Sequence, residues 1–232
     1  MLKGDLRKQE ILRTAESLFC KNGYAETSVQ DILDILHLSK GSFYHHFASK
    51  ELLLECICKE RASGVFQKVC QALPADKTIP SLQRLETLLT GMMPLKGEKI
   101  SFLLMLLPVF RLPEGWSVKK CYCDALADFF RNTIRDQITA CAQEGVLFCE
   151  DPDITTDIVM LLINDLWCRI CEIILIRESE RAETEPSELL HLLEQYRRTI
   201  EKILTIPFGS LLLMNLQDIM GLCAQIHQHW KI

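Results

Sequence analysis

The sequence predicts an all-α fold, with an N-terminal three-helix helix-turn-helix domain and a larger C-terminal helical domain. Three observations predict it. Apolar residues recur at three- and four-residue spacing along most of the chain. Strand-like alternation persists nowhere. Glycine (10) and proline (8) are sparse in 232 residues, against a turn-rich β architecture.

The elements follow in order. Residues 6–21 read as a first helix, with Ile11, Leu12, Ala15, Leu18 and Phe19 as its stripe and Arg7, Lys8, Arg13 and Lys21 outside it. Asn22-Gly23 ends it, with glycine suited to the left-handed position after a helix. A second helix is expected from Thr27, whose hydroxyl would cap it with Gln30 completing a capping box. Val29, Ile32, Leu33 and Leu36 form its stripe. His37-Leu38-Ser39 makes a short turn, and Ser39 caps a third helix to about Phe47. Ser49 caps a fourth, from Lys50 to about Leu73. Pro74 to Pro80 is a loop by composition. Further helices are expected over 80–93, 99–110, 117–144, 153–182, 186–205 and 209–229. Pro94, Gly97, Pro113-Glu114-Gly115, Gly145, Asp151-Pro152 and Pro207 punctuate them. The domains expected are 1–60 and 61–232.

Composition narrows the function classes. No stretch of 18 or more apolar residues lacks charge, so no transmembrane helix and no membrane partner are expected. The start, MLKGDLRKQE, has no apolar core and does not read as a signal peptide. A cytoplasmic protein is the expectation. The eleven cysteines sit inside apolar helical patterns, where a reduced thiol behaves as a small hydrophobe. Cys168 and Cys171 share a helix face, but no second pair completes a metal site, and packing is the reading preferred. No metal, no cofactor and no catalytic residue are expected. Ser/His/Asp order, metal-ligand spacing and a phosphate loop are all missing. Asp165 and Glu172, seven apart, read as solvated or interface acids.

The net charge of −5 argues against a nucleic-acid binder only until it is placed. Residues 1–61 hold nine basic and nine acidic side chains, and the remainder holds 17 against 22. Between Asp34 and Glu51 there is no acid at all, and Lys40, Lys50, His37, His45 and His46 lie in that gap. Affinity for DNA depends on which charges face the phosphates, not on the sum.

The segment Thr27–Lys50 has the build of a helix-turn-helix. Ile32, Leu36, Leu38, Phe43 and Phe47 supply a shared core, and the third helix can enter a major groove. Lys40, Ser42, Tyr44, His45 and His46 point outward as donors for base edges and phosphates. Gly41 permits close backbone approach. Thr27, Ser28 and Lys50 complete the expected DNA-binding set, with backbone N–H groups at Ser28 and Lys50 lying at anion-favouring helix N-termini. Protonation of His45 or His46 would add charge at the phosphates, so affinity is expected to rise between about pH 7.5 and pH 6.

The strings Thr27-Ser28-Val29-Gln30-Asp31-Ile32, Leu38-Ser39-Lys40-Gly41-Ser42-Phe43-Tyr44-His45-His46-Phe47 and Ser49-Lys50-Glu51-Leu52-Leu53 resemble the DNA-binding domain of the TetR family. The lead-in from Ile11-Leu12 to Gly23-Tyr24 does so too. The resemblance covers about residues 6–60. It departs at Leu33, Leu36 and His37, where the family pattern usually has Ala, Ala and Gly. It implies a dimeric, ligand-responsive regulator, usually a repressor, on a palindromic double-stranded operator, with an all-α ligand-binding and dimerisation domain. The alternative kept open is a DNA-bound adaptor whose second domain binds a protein.

For that domain the resemblance implies a dimer bundle from the helices at 153–182 and 186–205. Leu189, Leu192, Leu193, Tyr196, Ile200, Ile203 and Leu204 make a clean stripe there. Ile158, Leu161, Leu162, Asp165 and Leu166 mix apolar and polar positions on the first of the two. A pocket needs apolar walls with a few placed polar groups. Phe102, Met105, Tyr122, Asn164, Trp167 and Cys168 are the candidates for an unknown small molecule, with Phe110, Trp116 and Arg169 beside them. The segment 208–230 reads as an added amphipathic helix.

Overall fold

The computed structural model describes residues 3–73, 78–93, 95, 99–113, 115–180 and 182–230, without the side chains of Lys3, Lys99 and Trp230. Among the described residues there are ten helices and no strand. They are α1 (Lys3–Asn22), α2 (Val29–Leu36), α3 (Lys40–His46), α4 (Lys50–Ala72), α5 (Ser81–Met92), α6 (Lys99–Val109), α7 (Gly115–Gln143), α8 (Pro152–Ser179), α9 (Pro186–Ile203) and α10 (Leu216–Trp230). The loop expected at Pro74 to Pro80 lies outside the described residues over 74–77. Pro94, Gly97 and Glu114 also lie outside them.

Two compact units are present, one of residues 1–62 with 101–125, the other of 63–100 with 126–232. In the first, Ile11, Ala15 and Phe19 of α1 are fully buried, as are Ile32, Phe43, Leu53 and Leu54. The residues 101–125 join this unit for visible reasons. Phe102 meets Tyr122 edge to face at 5.6 Å, and the Arg61 guanidinium stands 5.3 Å over the Phe102 ring. Ser117 donates to Glu55 at 3.0 Å. Helix α6 is buried at every position from Phe102 to Leu107, as expected of a helix apolar on all sides.

The second unit is built on α8. Asp151 caps it by accepting from the N–H groups of Asp153 (2.9 Å) and Ile154 (3.0 Å), and Pro152 occupies the first turn, where no N–H is missed. Val159, Ile163, Leu166, Trp167, Ile170 and Ile174 are its buried face. On α9, Leu189, Leu193 and Ile200 are buried in the same unit.

Two boundaries differ from expectation. Helix α1 starts at Lys3 rather than residue 6, with Asp5 in its first turn complementing the helix N-terminus. Helix α10 starts at Leu216, not 209. The segment between is held in another conformation by Glu201, a fully buried carboxylate. Its Oε1 accepts from the backbone N–H of Gly209 (3.0 Å) and Leu211 (2.9 Å) and from Arg197 (2.8 Å). Gly209 sits at φ +90°, which a helix does not allow. Asn215 and Asp218 then exchange side-chain-to-backbone bonds at 3.0 and 2.9 Å and start α10.

Candidate nucleic-acid interface

Helix α2 is capped one residue later than the sequence suggests. The cap is Ser28, and the reciprocal partner is Asp31, not Gln30. Asp31 Oδ2 accepts from the Ser28 backbone N–H and hydroxyl, both at 2.7 Å, while Ser28 Oγ accepts from the Asp31 N–H at 3.2 Å. Thr27 is fully buried, and its hydroxyl donates to the Gly23 carbonyl at 2.8 Å. Its side chain therefore serves the fold and does not face a ligand. The N–H at Ser28, expected to attract a phosphate, already holds an anion of the chain itself.

Those bonds hold the Asp31 carboxyl below the usual carboxylate range, the Ser28 hydroxyl first among the causes and the Ser28 N–H second. The sign follows. A depressed carboxyl stabilises the folded state above the unfolded value and loses that contribution as pH falls through the folded value. The N-terminus of α2 is therefore expected to keep its cap until pH drops below the ordinary Asp range. Side-chain carboxyl shifts of Asp31 followed by NMR would check this, and titration at or above that range would refute it.

The turn after α2 is tight. His37 adopts the left-handed conformation at φ 52°, ψ 45°, and the Leu38 N–H returns to the Leu33 carbonyl at 3.0 Å. A glycine enters that region freely, whereas histidine does so at a modest steric cost. Leu33 is fully buried, and Leu36 and Leu38 are only half-buried. The core of the motif thus rests on Ile32, Leu33, Phe43 and Phe47, a correction to the expected weight on Leu36 and Leu38.

Ser39 caps α3, its Oγ accepting from the Ser42 N–H at 3.3 Å. Phe43 and Phe47 face inward with rings 5.9 Å apart. The other side presents Lys40, Gly41, Tyr44 and His45 to solvent, with Ser42 and His46 half-buried. Tyr44 is 55% exposed, yet its ring is held edge-on against Phe43 at 5.3 Å. The hydroxyl is presented on a fixed stem. His46 packs between His45 (5.1 Å) and Phe47 (6.4 Å). At Gly41 an added Cβ would meet nothing closer than Ser39 Oγ at 3.9 Å, so the backbone there is open to an approaching surface.

Lys50 departs from its expected role. Its ammonium donates to the carbonyls of Tyr24 (2.9 Å) and Thr27 (3.0 Å) and stands 4.0 Å over the Tyr24 ring. It staples the α1–α2 connection to the start of α4 instead of reaching outward. Glu51 receives the Tyr24 hydroxyl at 3.4 Å, and its carboxyl lies below the usual range, chiefly through the Ser49 hydroxyl. In exchange the structure offers Lys8, which sequence reasoning placed only outside the α1 stripe. It is exposed, and its ammonium is 5.9 Å from the Phe47 ring, beside the end of α3.

The six pocket candidates do not form one group. Phe102, Met105 and Tyr122 are buried in the first unit. Trp167 is fully buried in the second, with Asn164 and Cys168 half-buried on the same helix. The partner that Asn164 needs is Trp167, whose Nε1 donates to its Oδ1 at 3.2 Å. Trp116 is 72% exposed, and Arg169 is exposed and bound to Asp165 at 2.8 Å. Tyr196 also donates to Asp165, so this acid has partners other than Glu172.

Residues 11–57 match the family model described as bacterial regulatory proteins, tetR family. An uncharacterized HTH-type transcriptional regulator of Bacillus subtilis, YerO, is 45% identical over 53 residues, 23% of this chain and 18% of that protein. The HTH-type transcriptional repressor KstR2 of Mycolicibacterium smegmatis is 34% identical over 79 residues, 34% of this chain and 38% of that protein. The chain thus spans less than half the length of these relatives in the matched regions. The crystal structure of RolR in complex with resorcinol superposes with a TM-score of 0.57 at 11% identity, covering 96% of this chain and 95% of that one. That likeness extends the shared fold across nearly the whole chain.

Proposed function

Because the chain is a transcriptional regulator of the TetR family, we propose that it is a dimeric repressor released from a palindromic operator by a small molecule. The observation that carries this reading is the exposed face of α3, where Lys40, Tyr44 and His45 stand on a helix fixed by buried Phe43 and Phe47. Ser42 and His46 flank them. Residues 1–60 bind the operator, and 61–232 bind the effector and the second copy, in the cytoplasm. KstR2, similar over the motif, is named a repressor, and RolR, similar in fold, holds resorcinol.

Dimerisation has its own support. Ile154, Ile158 and Leu161 are 59%, 41% and 67% exposed at helical spacing on one side of α8. Such a stripe on an amphipathic helix is a pairing surface. Two copies present two α3 helices to half-sites a helical turn or its multiple apart. The test is titration of the purified protein onto DNA from upstream of its own gene, with sedimentation run alongside. Specific binding by a dimer is expected. Leu161→Arg is expected to give monomers and to weaken binding at least about tenfold, since half the phosphate and base contacts go. Equal binding to unrelated DNA would sink the operator reading.

A further inference from the structure

The second compact unit contains a cavity of about 740 Å³ that the operator-binding machinery does not use. It lies where the C-terminal end of α8 turns into α9 and meets α10. Ile174 and Ile226 are buried and give it apolar walls. Three carboxylates line it: Glu178 from α8, and Glu183 and Glu185 from the turn. One oxygen of Glu178 is shielded from solvent. No lysine or arginine is among the described lining residues, and the only other ionisable nitrogen there is His227, 3.5 Å from Glu183. The neighbouring cation Arg177 is committed elsewhere, to Glu180 at 3.3 Å and Glu188 at 3.0 Å.

We propose that this cavity is the effector site and that it takes an organic cation, an amine or quaternary ammonium carrying an apolar group. This rests on the ligand-responsive reading above and names its ligand class. The volume falls within the range of about 300–1,000 Å³ usual for small-molecule sites. The chemistry follows from the walls. Carboxylates in a partly enclosed, low-dielectric space raise the free energy of the empty site and are stabilised by a cation far more than in water. The cation's hydrocarbon part gains from the isoleucine walls. An anion of the same shape meets three like charges. Because α8 also carries Trp167 and the exposed Ile154–Leu161 stripe, a ligand at its C-terminal end can bias the helix that pairs the two copies.

The experiment is calorimetric titration of the full chain with benzyltrimethylammonium, and with phenylacetate as the anionic counter-probe, since Arg181 lies outside the described residues. Saturable binding of the cation and none of the anion is expected. The Glu178→Gln, Glu183→Gln variant is expected to lose at least about tenfold in cation affinity, as removal of charge-assisted contacts implies. Cys223→Trp, which fills the cavity without changing its charge, serves as the second variant if the first melts early. Absence of cation binding, undiminished binding in both variants, or preference for phenylacetate overturns the site. Promoter binding is measured in the same samples. If it is intact while the cation fails, only the effector assignment falls. If wild-type DNA binding fails while the cation binds, the site stands and the operator reading falls.

Discussion

A Lys40→Ala, Tyr44→Ala variant is expected to bind promoter DNA about a hundredfold more weakly than the wild type while keeping its fold. Each lost direct contact costs about 1–3 kcal/mol, and a dimer loses each one twice. Both side chains are exposed, so the cost to the fold is confined to the Tyr44–Phe43 edge contact, about 0.5–1.5 kcal/mol. Fluorescence anisotropy at fixed salt gives the affinity, and thermal melting followed by circular dichroism gives the stability. An unchanged affinity would place the readout off α3. The comparison with Lys50→Ala is informative in the opposite sense. That variant removes the staple on the Tyr24 and Thr27 carbonyls, so a lower melting temperature should accompany any loss of affinity.

Glu201→Ala is expected to cost about 3–5 kcal/mol of stability, the range found when one partner of a buried ion pair is removed. The Gly209 and Leu211 N–H groups lose their acceptor, and Arg197 keeps only Glu194. Urea unfolding would show the midpoint fall with little change in slope. Glu201→Gln retains an acceptor for the two N–H groups and is expected to fall between the two. A shift below about 1 kcal/mol in the alanine variant would mean that water replaces the carboxylate without loss.

The helices were legible because their signals are local. Apolar spacing and small polar caps fix α1 to α4, and Ser39 and Ser49 take the cap positions the sequence suggested. The misreadings share one cause. Thr27, Lys50 and Glu201 have their roles set by partners distant in sequence or by a turn that periodicity does not report. A lysine at the start of a helix reads as a phosphate ligand until the carbonyls 23 and 26 residues earlier are seen beside it. The apolar run from Leu211 to Met214 reads as helix until a buried carboxylate claims the adjoining N–H groups. The pocket candidates were chosen for aromatic and polar character, which core positions share. The acidic cavity instead depends on a turn bringing α8 and α10 together, and no spacing rule announces it.

The inward turn of Lys50 changes the ionic accounting of the DNA-binding face. With that ammonium occupied, Lys40 is the one permanent cation within α3 itself. Each phosphate neutralised releases condensed counterions and contributes about −0.9 to the slope of log affinity against log salt. Two copies of α3 would thus contribute a slope of only about −2, with histidine protonation and residues such as Lys8 adding to it. A regulator of this kind tolerates swings in intracellular potassium better than a lysine-rich one, and holds its operator more by fit than by charge.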